Sequence, residues 1–123
     1  MNLNMIADAM YDFLKTKHEH VYRNSSSSSP VFPYVVYRIE SVTDSIPSED
    51  FYIYVDIYED TTKSVREIEN IADAIDNALN NTVMNTDVFN AHFMREGRQF
   101  VDGNELISEQ GVFLRYNTRI YFK

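Results

Sequence analysis

Six stretches of the chain carry a regular pattern of apolar and polar positions, two at the helical period and four at the strand period. Between Leu3 and Lys15, Ile6, Met10, Phe13 and Leu14 recur at steps of four, three and one. That spacing puts them on one face of an amphipathic helix, with Asn2 or Asn4 as its cap. The run Tyr34-Val35-Val36-Tyr37-Arg38-Ile39 is rich in β-branched and aromatic residues, and Phe51 to Tyr58 repeats that chemistry after turn formers at Asp44, Ser45, Pro47 and Ser48. The two predict an antiparallel hairpin. In the second strand Phe51, Ile53, Val55 and Ile57 alternate with Tyr52, Tyr54, Asp56 and Tyr58, so the first set faces the core.

A second helix follows. Ser64 and Glu67 have the spacing of a capping box, and Val65, Ile68, Ile71, Ala72, Ile75 and Leu79 form its apolar stripe. Glu69, Asn70, Asp73, Asp76 and Asn77 fall on the solvated side, and Asn80 and Asn81 end the helix because asparagine tolerates the left-handed conformation used there. Residues 88–101 read as a strand with a bulge or bend at Gly97 and Arg98. Residues 102–111 read as a polar loop. The last segment alternates Val112, Leu114, Tyr116, Thr118, Ile120 and Phe122 with Phe113, Arg115, Asn117, Arg119 and Tyr121, a long strand.

The predicted order is therefore α-β-β-α-β-β: an α+β fold in which a mainly antiparallel four-stranded sheet carries two helices on one face. With 123 residues, one domain spanning 1–123 is expected. Residues 18–32, which include Asn24, the serine run 25–29 and Pro30, predict a mobile loop.

Composition removes several kinds of chemistry. The chain has no cysteine, so disulfides, thiolate nucleophiles and cysteine-bound zinc are excluded. Its three glycines, Gly97, Gly103 and Gly111, form no phosphate-cradling loop. His18-Glu19-His20 has a spacing that a metal can use in an extended segment, but no further ligand set accompanies it, and a surface pair is the better reading. His92 has no nucleophile or carboxylate at a diagnostic distance. The acidic pairs Glu49-Asp50 and Glu59-Asp60 flank the second strand and read as solvated turn ends rather than as a catalytic dyad. No enzyme signature emerges, and no catalytic, cofactor-binding or metal-binding residue is assigned.

Nineteen acidic against eleven basic residues give a formal charge of −8, which opposes binding to a phosphate backbone. No stretch is apolar enough to span a membrane, and Asp8 and Asp12 interrupt any leader-like run at the start, so a cytoplasmic place of synthesis is expected. The positive signal is the second face of the sheet. Tyr52, Tyr54 and Tyr58 from one strand and Phe113, Arg115, Arg119 and Tyr121 from another make it aromatic and partly charged. Two helices do not suffice to cover both sheet faces, so this one is either exposed or covered by another subunit, with the arginines against acids of a neighbouring copy.

Pro33-Tyr34-Val35-Val36-Tyr37-Arg38, the acid-containing strand Tyr54-Val55-Asp56-Ile57-Tyr58, and Ile68, Ile71, Ala72, Ile75 and Leu79 on the second helix together resemble the tail-terminator, or tail-completion, proteins of long-tailed bacteriophages. The resemblance lies in the order and texture of residues 33–79, with the first helix and final strands agreeing in kind. It implies a non-enzymatic protein that caps the tail tube, ends its polymerisation and joins tail to head. The implied assembly is a homo-oligomeric ring, commonly a hexamer, touching the tail-tube protein on one side and a neck or connector protein on the other. DNA would only pass through the lumen, and the implied location is the head-tail junction of the virion. A neck or head-completion adaptor and a small regulatory or inhibitory binding protein are the alternatives.

Overall fold

The computed structural model of the protein describes residues 3–26, 31–45, 48–102 and 109–123. Eight elements follow in order: α1 (Leu3–Lys15), β1 (Val21–Arg23), β2 (Tyr34–Ser45), β3 (Ser48–Asp60), α2 (Arg66–Leu79), β4 (Thr82–Asn85), β5 (Phe89–Val101) and β6 (Glu109–Phe122). They build one curled, six-stranded sheet in the order β1-β2-β3-β6-β5-β4. β1 runs parallel to β2, and every other neighbour pair is antiparallel.

This corrects the four-stranded, α-β-β-α-β-β expectation: the sheet is six-stranded and mixed. The two added strands are the edge strands, three and four residues long. Val-Tyr-Arg and Thr-Val-Met-Asn are too short for alternation to stand out, and a parallel pairing leaves no hairpin turn to betray it. β1 also corrects the loop expected at 18–32. Val21 is buried, α1 packs over β1 and β2, and His18 Nε2 lies 2.6 Å from the Pro33 carbonyl oxygen. The positions 27–30 of that stretch lie outside the described residues, as do 103–108 of the polar loop.

The faces fall as the alternation predicts. Val35 and Tyr37 of β2, Phe51, Ile53, Val55 and Ile57 of β3, Val112, Leu114, Tyr116 and Ile120 of β6, and Phe89, Ala91 and Phe93 of β5 form one core with both helices. α1 contributes Ile6, Ala7, Met10 and Leu14, and α2 contributes Ile68, Ala72, Ile75 and Leu79, so both helices cover the same sheet face. Burying so many large aliphatic and aromatic side chains, each worth roughly 1.5–3 kcal/mol, is the main force holding the two layers together. Polar bonds fix their registration. The Tyr37 hydroxyl donates to the Ala7 carbonyl of α1 (3.0 Å), and the Tyr116 hydroxyl donates to Asp76 of α2 (2.7 Å).

The helix ends differ in detail from expectation. Ser64 accepts one bond from the Arg66 amide (3.1 Å), while Val65 occupies the cap position without a side-chain bond, so the reciprocal capping box does not form. At the other end Asn81 takes the left-handed conformation (φ 57°) and returns the chain into β4. The bulge expected near Gly97 and Arg98 appears as a register shift between Arg95 and Gly97 in the β5–β6 ladder.

Candidate functional site

The sheet face opposite the helices is built in rows that the ladder registers dictate. Tyr34, Tyr58 and Gly111 share one row; Val36, Asp56, Phe113 and Gln99 the next; Arg38, Tyr54, Arg115 and Gly97 the third. Glu40, Tyr52, Asn117 and Met94 follow, then Asp50, Arg119 and His92. All seven residues assigned from sequence, Tyr52, Tyr54, Tyr58, Phe113, Arg115, Arg119 and Tyr121, therefore sit on this one face, because β3 and β6 are direct neighbours.

The first rows are aromatic. Tyr34 stacks on Tyr58 (centroids 5.2 Å apart, 26° between planes), Tyr58 meets the edge of Phe113 at 5.4 Å, and Tyr22 and Phe32 close on Tyr34 at 5.9 and 5.4 Å. Gly111 makes this packing possible. A Cβ there would lie 2.6 Å from the Phe113 ring and 3.2 Å from the Ile57 carbonyl oxygen. Burial pushes the Tyr58 hydroxyl up to about 12, with the nearby Asp56 and Glu109 charges adding to it, and burial raises Tyr34 further, helped by its 2.8 Å bond to Glu109. Both phenols stay neutral donors at any ordinary pH.

The middle rows pair guanidinium with ring. Arg38 lies 3.8 Å from the Tyr54 centroid and Arg115 lies 5.3 Å from that of Tyr52, while the two rings sit 6.3 Å apart. Beside them a groove of about 450 Å³ is lined by Arg38, Tyr54, Asp56, Gly97, Phe113 and Arg115, among others. Gly97 has nothing within 4 Å of its Cβ position, which leaves the groove open on the β5 side. Burial pushes the Asp56 carboxyl up to about 6, against the opposing pull of Arg38.

The arginines are neutralised within the chain. Arg119 forks onto Asp50 (3.0 and 3.4 Å), a bond that raises its already high pKa, and Arg115 reaches Glu96 at 3.6 Å. Tyr121 stands apart from the aromatic rows at the far end of β6, level with Ser48, and is 42% exposed. Tyr22, Phe32, Tyr34, Arg38 and Asp50 join this face beyond the seven residues expected from sequence. Tyr34 and Arg38 were reachable, since alternation from the buried Val35 and Tyr37 turns them to this face; Asp50 needed the β3–β6 register.

No family model and no curated protein matches the chain. The fold does have a solved counterpart. A protein structure whose name states no activity is similar to the whole chain, with a TM-score of 0.72 at 14% identity, covering 100% of this chain and 98% of the other. At that identity the likeness establishes the fold alone.

The other candidate positions are accounted for by local contacts. His18 and His20 meet edge to face at 5.8 Å, and His20 lies 3.3 Å from Glu19. Among the described residues no group of three or more His, Asp or Glu is placed to hold a metal ion. Glu59 was expected at a solvated turn end and is instead buried, its carboxylate accepting the Asp60 amide at 2.9 Å.

Proposed function

We propose that the chain is a structural assembly protein that caps a phage tail tube, ends its polymerisation and joins tail to head. The observation that carries this reading is the sheet face that neither helix covers. Both helices pack on one side, leaving on the other a partly exposed surface of tyrosines at Tyr52, Tyr54 and Tyr58 and of ring-backed arginines paired with Glu40 and Glu96. Such a surface resembles the aromatic, Arg-bearing core of protein interfaces more than it does a reaction site. In this proposal the chain assembles with itself into a ring, commonly a hexamer, at the head-tail junction. One side of the ring meets the tail-tube protein, the other a neck or connector protein, and DNA passes through an acidic lumen to which it does not adhere. The resemblance of residues 33–79 to tail-completion proteins supports the choice of partner.

Repetition around a ring multiplies each weak contact, so modest patches on one copy suffice to occlude the growing end of a tube. Electron microscopy of tail tubes with and without the purified protein tests the proposal: density at tube ends and arrested lengthening are expected. The groove beside Asp56 favours a second reading, a small binding module that seats a partner's side chain there. It predicts a monomer whose binding is lost with Arg38→Ala and Arg115→Ala and which ignores tubes.

A further inference from the structure

The two edges of the sheet are stepped, and the steps match. On one edge β1 covers β2 only at Val35, Val36 and Tyr37, leaving residues 38–45 of β2 without a neighbouring strand among the described residues. On the other edge β4 covers β5 only from Asn90 to Phe93, leaving residues 96–101 likewise without a neighbouring strand on that side among the described residues. The ladders across the sheet place these at opposite ends. Val35, Val36 and Tyr37 are level with Phe100, Gln99 and Arg98, so β1 protrudes at the height where β5 is recessed. Ser41 and Thr43 are level with Phe93 and His92, so β4 protrudes at the height where β2 is recessed.

We infer that neighbouring copies of this chain join edge to edge, β1 of one copy filling the recess beside residues 96–101 of the next while β4 of the latter fills the recess beside β2 of the former. This inference rests on the ring reading and names its joint; the tyrosine face is then left free for the tube or neck protein. Strand direction allows it. β1 is parallel to β2 and β5 is antiparallel to it through the intervening ladders, so rotation about an axis along the strands brings β1 and β5 together antiparallel. The contact is head to tail, the kind that closes into a ring. It also satisfies backbone groups that an open edge leaves to water.

The side chains beside the two edges set the register of the joint. Arg23 of β1 is level with Arg98 of β5 and on the same sheet face, and directly opposed like charges repel, so the register shifted by two residues, Tyr22 beside Val101, is the favoured one. On the helix side of β2, Tyr37 is level with Arg98 on the opposite edge; burial raises the Tyr37 pKa, the Arg23 charge lowers it, and Asp8 and Asp12 of α1 raise it, so both carboxylates and Arg23 stand at that edge. Arg98 is held by Asp73 at 2.7 Å and keeps 29% of its own side chain exposed, which leaves the guanidinium room for a second carboxylate. Tyr11 on α1 (40% exposed) and Phe100 on β5 (47%) supply an apolar contact on the same side.

The chain's lack of cysteine makes disulfide mapping clean. Tyr22→Cys combined with Gln99→Cys places thiols at one height and on one sheet face; Tyr22→Cys with Val101→Cys covers a slip of two residues. Directly opposed positions of a non-hydrogen-bonded antiparallel pair approach the Cβ separation a disulfide needs, so the register of the joint decides which pair cross-links. Oxidation at tube ends is expected to give a ladder of covalent oligomers for one of these pairs, and none for Tyr52→Cys with Gln99→Cys. Phe100→Lys, checked for a native circular dichroism spectrum, is expected to lower the assembled mass. Rings that persist in Phe100→Lys and give no edge cross-link would overturn this joint while leaving the ring reading intact. A chain that stays monomeric even at tube ends overturns both.

Discussion

The hydroxyl of Tyr116, in the middle of β6, donates to Asp76 Oδ1 of α2 at 2.7 Å, while Arg95 of β5 holds the other carboxylate oxygen at the same distance. One helix carboxylate thus ties two strands to the helix layer, beneath a sheet whose far face carries the candidate surface. Tyr116→Phe leaves Asp76 with Arg95 and should cost about 1 kcal/mol in urea unfolding. Asp76→Ala strands both partners and should cost about 3 kcal/mol.

Asp56 predicts a pH dependence of definite sign. Its folded pKa of about 6 stands above the unfolded carboxylate value, so between those pKa values the native state binds more protons than the unfolded one. The contribution of this group is therefore most favourable at low pH and declines as pH rises toward 6. Asp56→Asn should flatten that part of the stability profile, and the variant should gain on wild type as pH is raised from 4 to 7. Unfolding midpoints across that range check it.

The two described glycines should respond in opposite ways. Gly111→Ala drives a methyl group against the Phe113 ring and the Ile57 carbonyl, disturbing the Tyr58–Phe113 contact, and should destabilise by about 1–3 kcal/mol. Gly97→Ala meets open space and should be neutral or stabilising by about 0.5 kcal/mol, through the unfolded chain. Thermal unfolding of the pair separates them.

Most of the core was legible because β3 and β6 alternate without interruption over their central residues, and the stripe of α2 repeats at the helical period. That alone put Tyr52, Tyr54, Tyr58, Phe113 and Arg115 on one face. Pattern could not reveal strands that owe their existence to an edge. Val21 becomes strand because α1 and β2 leave it a buried place, and residues 82–85 because Asn81 turns them alongside β5. Nor could it show that Arg119 and Arg115 spend their charge on Asp50 and Glu96, since both pairings depend on strand order. The face expected to seek acids in another copy is consequently more aromatic than cationic in character.

The proposed role of this chain is to close the end of a phage tail tube as a ring of identical copies. Electron microscopy of tail tubes incubated with the purified protein, with native mass measurement of the protein released from those tubes, tests it most directly. The account predicts ring density confined to tube ends and a mass of several copies. A protein that remains monomeric and leaves the tube ends bare and still growing would contradict it.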